Sequence, residues 1–409
     1  MKILLLSFTD EGGAGTATYR IYKTLLNSTL TIDYKVIKKT RKDKKILVQK
    51  FSIYFLNFLI KIFKINKFIS KIGNFKNRFT KDSSLIFTNF SEQINKSDYD
   101  IVHITWINNF LSIEDIGKIK KPIVWTLCDM WPLGGVNHYD IWSKKLLWRS
   151  NNLKNKFKNF FDINYWIIVR KILSWNNKIY VVSPSKKLLN FANNSKILKK
   201  FSTNLIPWPI DKVNYKKLSN YRRLFNLPVK KKLVIFACNN GINDSRKGFD
   251  LFYESIKFSK IDYDVVILGS SDLENIPSTP NKKFYCFGKF FDEKKIAKLL
   301  NSCDIIVIPS LIDNLPLIGI EAQACGLPIV TFNGNGVEDL VLHKCNGYLA
   351  KLYNVKDLAK GVDWTLSNLK KRNLSKNSID HVNKKCNPSV IRQKYINLYK
   401  KILDNKNCE

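Results

Sequence analysis

The sequence predicts an α/β protein with two domains. Runs typical of buried parallel strands are followed by a loop and then a helix near the start of the chain, at 2–26, and again in the second half, at 305–324. The chain has 409 residues, which is more than one hydrophobic core usually organises. A hydrophobic content of 45% with 13% aromatic residues supports a folded protein. We therefore expect two α/β domains of similar size.

The first unit of this kind begins at the N-terminus. The apolar run KILLLSF predicts a strand at 2–8, the glycine-rich sequence DEGGAG predicts a loop, and a helix is expected at 16–26. Gly13 and Gly15 would let the backbone of this loop approach a diphosphate or a sugar without a Cβ in the way.

Residues 38–81 form a basic and aromatic insertion. Between 51 and 75 phenylalanine, isoleucine and leucine alternate with lysines at 61, 64, 67 and 71. This spacing would place the lysines on one face of a helix and the aromatic residues on the other, which is typical of a helix lying in a membrane interface. The alternative is a helix whose aromatic face packs on its own domain and whose lysines face water.

Further elements follow from apolar runs and helical periodicity. Strands are expected at 100–106, 122–127, 179–184, 232–237, 265–268, 284–287, 305–308 and 329–332, and helices at 113–119, 292–301 and 389–403. Between the last two strands an apolar helix is expected, which Gly326 ends. Another helix is expected to begin within 334–341.

The helix between 308 and 329 has a polar site at its start. Unpaired N–H groups and the helix dipole favour a diphosphate there. Because Pro316 has no N–H group, Leu317 and Ile318 are the expected donors. Asp313 lies in the loop before the helix and Glu321 about two turns into it, so one carboxylate can face sugar hydroxyls and the deeper one can accept both hydroxyls of a ribose.

The segment PSLIDNLPLIGIEAQACGLPIV resembles the E-x7-E signature of family 4 glycosyltransferases, which are retaining enzymes of the GT-B fold. Asp313 stands at the position of the first Glu of the signature, with a side chain one methylene shorter. The resemblance implies two facing, Rossmann-like doubly wound domains with the ligand in the cleft between them. An ordinary βαβ unit with a solvated Asp and Glu is the alternative.

A second resemblance covers the segment after the strand at 122–127. Its sequence CDMWPLGGVNHY is similar to the T-L-H-D-M-W-P-F-T-G-G-C-H-Y loop of a family 4 subgroup acting in polysaccharide or colanic-acid-type biosynthesis. Cys128 occupies the position of the family's active-site His, and Thr105 that of a second His. Asp129 and His138 remain as polar groups that we expect near the transferred sugar or the acceptor.

The donor diphosphate is expected to meet two cations. Lys247-Gly248 resembles the family's Lys-Gly pair at a helix start, whose ammonium group binds the donor diphosphate. Gly241 falls where the family commonly has an Arg, and Arg246 is the expected second cation.

The domain boundary is expected at the proline-containing run NLIPWPID, which resembles the family's I-P-N-G-I-D crossover. We expect an acceptor-side domain at 1–206 and a donor nucleotide-sugar-binding domain at 207–387. A last helix at 388–409 is expected to cross back to the first domain.

The charge balance is strongly basic. The chain has 69 Lys and Arg against 33 Asp and Glu, a net charge of +36. This favours an anionic partner, such as nucleic acid, an anionic membrane face or a phosphorylated substrate. A compositional bias towards Lys, Asn and Ile, as in chains encoded by AT-rich DNA, explains the same numbers. Without any helix-turn-helix, RNA-recognition or zinc signature, we expect no specific nucleic acid.

The cysteines do not suggest a metal or disulfide protein. Eight are scattered without a C-x-x-C pair, and the chain has four His. We expect no metal and no cofactor besides the donor substrate. The apolar part of the N-terminus is too short for a signal peptide, and no charge-free apolar run reaches 18 residues. The expected location is cytoplasmic, peripheral on the inner face of the cytoplasmic membrane.

These observations predict a retaining glycosyltransferase. It would move a hexosyl unit from a UDP- or GDP-sugar to a glycan or lipid-linked acceptor in surface polysaccharide biosynthesis. The expected catalytic residues are Asp129, His138 and Asp313, and the expected donor-binding residues are Gly13, Gly15, Arg246, Lys247, Asp313, Leu317, Ile318 and Glu321. Three alternatives stay open: a catalytically impaired GT-B protein that binds a nucleotide sugar, a nucleotide-sugar epimerase, and a basic nucleic-acid-binding protein.

Overall fold

A computed structural model describes residues 1–26, 28–49, 84, 88–107, 110–139, 162–238, 242–270, 276 and 282–407. The chain divides into two compact units. The first comprises Met1–Ile206 together with Arg392–Glu409, and the second comprises Pro207–Ile391.

The first unit is built on a seven-stranded parallel sheet. Its strands are β1 (Lys2–Thr9), β2 (Thr31–Lys38), β3 (Ile46–Val48), β4 (Ile101–Ile104), β5 (Ile123–Thr126), β6 (Ile179–Ser183) and β7 (Ser202–Leu205). They lie in the order β3-β2-β1-β4-β5-β6-β7. Its helices are α1 (Gly12–Leu26), α2 (Phe90–Lys96), α3 (Ile113–Lys118), α4 (Ile163–Ser174) and α5 (Lys186–Asn194). The central strands β4 and β5 are buried along their length, as expected for a sheet covered on both faces.

The second unit is built on a six-stranded parallel sheet. Its strands are β8 (Lys232–Ala237), β9 (Tyr263–Leu268), β10 (Phe284–Phe287), β11 (Ile305–Ile308), β12 (Ile329–Phe332) and β13 (Gly347–Ala350). They lie in the order β10-β9-β8-β11-β12-β13, so β8 and β11 are neighbours although two strands separate them in the sequence. The helices of this part of the chain are α6 (Phe249–Ile256), α7 (Glu293–Asn301), α8 (Leu317–Ala324), α9 (Val355–Asn368), α10 (Leu374–Lys385) and α11 (Pro388–Asn407).

The C-terminal part of α11 belongs to the first unit and contacts it through a buried polar network. The ring of His103, on β4, lies 2.7 Å from the Tyr399 hydroxyl and 2.8 Å from the Thr126 hydroxyl. Thr126 lies 3.1 Å from the Tyr395 hydroxyl. All four side chains are buried. Burial lowers the pKa of His103 to about 3, so the imidazole is neutral at pH 7.

The predicted α/β class is confirmed, as are the strands at 232–237, 284–287, 305–308 and 329–332. Two local expectations are wrong. Helix α1 begins at Gly12 and not at Thr16, so the glycine-rich sequence forms its first turn. Within 334–341 the chain forms only a short 3-10 turn, Val337–Leu340.

Of the predicted insertion at 38–81, residues 38–49 are described and contain the short strand β3. The expected membrane-interface helix, at 51–75, lies outside the described residues. Among the helices that the structure describes, none has the length and apolar character needed to cross a bilayer.

Candidate functional site

Two loops meet at the carboxyl edge of the second sheet, because β8 and β11 are adjacent and parallel. One loop follows β8 and ends in a 3-10 turn, Ser245–Lys247, before α6. The other runs from β11 to α8. Leu311 N donates to Arg246 O at 2.8 Å, which joins the two loops. Gly248, at φ +70°, packs closely on the carbonyl group of Pro309. A Cβ on this residue would collide with the Pro309 oxygen.

Asp313 is the centre of an ion cluster at this junction. Its carboxylate accepts from Lys247 Nζ at 2.6 Å and lies 3.5 Å from Arg246 Nη1. Arg246 also pairs with Asp244 at 3.4 Å. The Asp313 side chain is 8% exposed, whereas Lys247 is 19% exposed. The structure therefore brings the adjacent cations Arg246 and Lys247 to Asp313, which lies 66 residues after Lys247.

The cluster keeps Asp313 ionised. Burial by itself would raise the pKa of this carboxyl group, but the nearby charges of Lys247 and Arg246 and the hydrogen bond from Lys247 outweigh burial. The net effect lowers the pKa of Asp313 below its ordinary value. A carboxylate in this state can orient cations but is a poor proton donor at neutral pH.

Helix α8 begins beside this cluster. Pro316 occupies its N-cap with extended backbone and makes no side-chain cap. The first N–H groups of a helix have no partner within it, and here they belong to Leu317 and Ile318, both of which are partly exposed. Glu321 lies in the second turn of the same helix and is buried. The arrangement gives an anion two side-chain cations and a helix N-terminus on one edge of the sheet.

The two predicted glycines of the first unit differ in their surroundings. A Cβ on Gly15 would lie 2.6 Å from Thr9 O, so this glycine is needed for α1 to pack on the end of β1. A Cβ on Gly13 would have nothing within 4 Å. Only Gly13 therefore leaves space for a ligand beside the backbone.

A cation beside the start of α1 was missed by the sequence analysis. Asp10 is buried and accepts from Thr40 N at 2.8 Å and from Arg41 N at 3.0 Å. Arg41 then donates to Asp10 O and to the hydroxyl of Thr16, which lies in the second turn of α1. The pairing depends on the parallel neighbours β1 and β2, and no local sequence signal marks it.

Asp129 and His138, the remaining predicted catalytic residues, contact each other. His138 Nδ1 lies 2.5 Å from Asp129 Oδ2, and both side chains are almost buried. Trp131 N donates to the other carboxylate oxygen at 3.0 Å, and Met130 N donates to His138 O at 2.9 Å. These bonds fix the orientation of the imidazole and close the loop at 129–138.

Cys128 and Thr105, which stand where the subgroup that this loop resembles has His, carry groups that stay neutral. Burial, with the nearby charge of Asp129, raises the pKa of the Cys128 thiol well above its ordinary value, and the thiol donates to Thr126 O at 3.9 Å. Thr105 is buried, donates to Leu6 O at 3.1 Å and accepts from Thr18 at 2.8 Å. Cys128 is therefore a poor nucleophile, and the Thr105 hydroxyl is used in packing.

Comparison with known proteins gives a family match within the second unit. Residues 220–381 match the family described as Glycosyl transferases group 1. The chain is 32% identical over 193 residues to the N,N'-diacetylbacillosaminyl-diphospho-undecaprenol alpha-1,3-N-acetylgalactosaminyltransferase of Campylobacter jejuni, which is 46% of this chain and 50% of that protein. The chain thus spans about half the length of this curated relative.

Solved structures cover nearly the whole chain. Sucrose-phosphate synthase from Thermosynechococcus elongatus superposes with a TM-score of 0.68 at 16% identity, covering 99% of this chain and 100% of that one. Anabaena HepE in complex with UDP-glucose gives 0.64 at 15% identity, covering 98% and 100%. At such identities the likeness concerns the fold. This chain therefore has the GT-B fold, and its residues 220–381 are similar to the family described as Glycosyl transferases group 1.

Proposed function

We propose that this protein is a glycosyltransferase that moves a hexosyl unit from a UDP- or GDP-sugar to a lipid-linked or glycan acceptor in surface polysaccharide biosynthesis. The observation that carries the proposal is the cluster of Arg246, Lys247 and Asp313 at the start of α8, inside the group 1 domain. The name of the Campylobacter relative, which specifies an undecaprenol-linked diphosphate acceptor, supports the acceptor class.

The charges of the cluster suit a diphosphate leaving group. As the bond between the sugar and the diphosphate breaks, negative charge develops on the phosphate oxygen. Lys247, Arg246 and the N–H groups of Leu317 and Ile318 would stabilise that charge by electrostatics fixed in advance. A charge-assisted hydrogen bond contributes about 1.5–3 kcal/mol. Two such bonds would account for a large part of donor binding.

In this proposal Asp313 does not act as a direct proton donor. Its ionised carboxylate holds the Lys247 ammonium group at 2.6 Å and would release part of that contact when a diphosphate arrives. Because it is one methylene shorter than Glu, it stays close to Lys247 while facing the sugar. Glu321 would accept the ribose hydroxyls from its buried position on α8.

The reaction would proceed with retention at the anomeric carbon. The leaving phosphate and the acceptor hydroxyl would lie on the same face of the sugar, and the phosphate would take the hydroxyl proton. Asp129 and His138 would contact the transferred sugar or the acceptor. The basic surface, with a net charge of +36, would favour peripheral contact with the anionic inner face of the cytoplasmic membrane.

A donor screen tests the proposal. Purified protein is incubated with a panel of UDP- and GDP-sugars and a lipid-linked acceptor extract, and released nucleoside diphosphate is measured. We expect release with one donor, dependent on the acceptor and lost in Lys247→Ala and in Glu321→Ala. Lys360→Ala, which changes an exposed lysine on α9, is the matched control and should retain activity. Equal activity in Lys247→Ala and in the control would refute the proposed site.

A second candidate is a GT-B protein that binds a nucleotide sugar without transfer. It is favoured by the neutral Cys128 thiol and by the buried Thr105, at two positions where the subgroup that the loop resembles has His. It predicts that UDP or GDP binds and that no donor turns over. Appearance of transfer in Cys128→His, with unchanged nucleotide affinity, would support this candidate.

A further inference from the structure

Helix α4 carries a fully buried lysine that is not part of the proposed donor site. Lys171 is 0% exposed. Its ammonium group donates to the carbonyl oxygens of Trp131, of Gly134 at 2.8 Å and of Gly135 at 3.2 Å. It also lies 3.8 Å from the centroid of the Trp131 ring. An ammonium group has three N–H bonds, so these three carbonyl groups use its donor capacity completely.

A second side chain of α4 contacts the same loop. Asn164 Oδ1 accepts from Val136 N at 3.1 Å. Gly135 packs so closely on Asn164 that a Cβ there would collide with its amide oxygen. Since Asn164 and Lys171 are seven residues apart, they lie two turns apart on one face of the helix. That face binds the backbone of residues 131–136.

The loop is also anchored from the end of α5. Ser195, which follows that helix, donates to Leu133 O at 3.1 Å. The Trp131 indole packs against Trp125 and Trp175, with ring centroids 6.4 and 6.1 Å away. The carbonyl groups of residues 131, 133, 134 and 135 are thus all bound by side chains from outside the loop. These bonds hold the backbone of 131–136 in the observed conformation.

The anchored segment lies inside the loop closed by the Asp129–His138 pair. Trp131, whose carbonyl group binds Lys171, donates its N–H to Asp129. His138 lies two residues after Val136, whose N–H is bound by Asn164. We propose that Lys171, assisted by Asn164, is a positioning residue that sets the placement of Asp129, His138 and Cys128 for the acceptor half of the transfer. The expected effect of Lys171 on the kinetics rests on the proposed function, whereas its expected effect on the structure of the loop rests on the geometry alone.

The structural arm of the test needs no substrate. Wild-type protein, Lys171→Met and the control Lys178→Met are treated with N-ethylmaleimide, and the modification of Cys128 is followed by peptide mass spectrometry. Cys345, which is exposed in the second unit, is the internal reference. We expect Cys128 to react at least tenfold faster in Lys171→Met than in wild type or the control, with Cys345 unchanged. A Cys128 rate within twofold of wild type would overturn the inference.

The kinetic arm separates a positioning role from a general loss of structure. In Lys171→Met we expect kcat to fall at least tenfold and the KM for the acceptor to rise, while the affinity for UDP or GDP stays within twofold. A fall in nucleotide affinity of the same size, or unchanged acceptor kinetics, would overturn the inference. If Lys171→Met does not fold, Asn164→Ala removes a single bond to the loop and should shift both readouts in the same direction by a smaller factor.

The two proposals fail in different ways. If the wild-type protein transfers no sugar with any donor, the proposed function fails, and the labelling of Cys128 still decides whether Lys171 sets the loop. If the wild-type protein transfers sugar and the α4 variants behave as wild type in both arms, only the role of Lys171 is refuted.

Discussion

The buried His103 makes the stability of the first unit depend on pH in a way that can be measured. Its imidazole is 0% exposed and bonded to the hydroxyl groups of Tyr399 and Thr126, and burial lowers its pKa from 6.5 to about 3. In the unfolded chain the same group titrates near 6.5. Between these two values the unfolded chain binds a proton that the folded chain does not. Stability is therefore complete above about pH 6.5 and falls as the pH drops from there towards 3.

The size of the effect follows from the two pKa values. In the unfolded chain His103 is protonated at pH 5, because this pH is about 1.5 units below the ordinary pKa of His. Each of these units is worth about 1.36 kcal/mol. We expect His103 to lower the free energy of unfolding by about 2 kcal/mol between pH 7.5 and pH 5. Burial also lowers the pKa values of His343 and His381, but both residues lie in the second unit.

The assay is urea unfolding at pH 7.5 and pH 5, followed by the fluorescence of the Trp125, Trp131 and Trp175 core of the first unit. His103→Gln should be less stable at pH 7.5 and should lose about 2 kcal/mol less than wild type on going to pH 5. His343→Gln is the control and should keep the wild-type dependence in this transition. If wild type and His103→Gln lose the same stability between the two pH values, the assignment of the pH dependence to this network is wrong.

Three further outcomes follow from the described contacts. Lys247→Ala should weaken UDP or GDP binding by about 10- to 100-fold, as measured by calorimetry, because one charge-assisted hydrogen bond is worth about 1.5–3 kcal/mol. A nucleotide affinity equal to that of Lys360→Ala would contradict this expectation. Gly15→Ala should lower the free energy of unfolding by about 1–3 kcal/mol, since its Cβ would lie 2.6 Å from Thr9 O, whereas Gly13→Ala has space and should stay within about 0.5 kcal/mol of wild type in the same urea assay. Asp129→Asn should reduce transfer without changing nucleotide affinity, because it weakens the contact that orients His138; loss of nucleotide binding in this variant would argue against the assignment.

Most of the strands that the sequence predicts correctly are short apolar runs buried on both faces, whereas β10 is an apolar run that is partly exposed at the edge of its sheet. β11 and β12 are of the buried kind, and their sequences IIVI and IVTF leave little choice of structure. β2 was missed, because TIDYKVIK alternates buried positions with partly exposed polar ones and contains two lysines. β7 was missed because STNL is short, polar and at the edge of its sheet.

The sequence marks the candidate site residues one by one but gives no sign of their partners. Lys247 and Asp313 each stand in a recognisable local pattern, yet their ion pair depends on β11 lying next to β8, although two strands separate them in the chain. Lys171 has no sequence signal at all. A lysine is ordinarily exposed, and its burial here is stabilised by carbonyl groups 36 to 40 residues earlier in the sequence.

In both units a carboxylate positions a cation at the carboxyl edge of the sheet. In the first unit the buried Asp10, after β1, holds the backbone that carries Arg41, and the guanidinium group of Arg41 reaches the second turn of α1. In the second unit Asp313, after β11, holds Lys247 beside the start of α8. In each case a carboxylate at the end of one strand fixes a cation that follows a neighbouring strand. The protein itself thus holds the cation at the edge of the sheet, where an anion that bound would find it already positioned. Adjacency of parallel strands is what makes this possible, because it brings the ends of two distant segments to one edge.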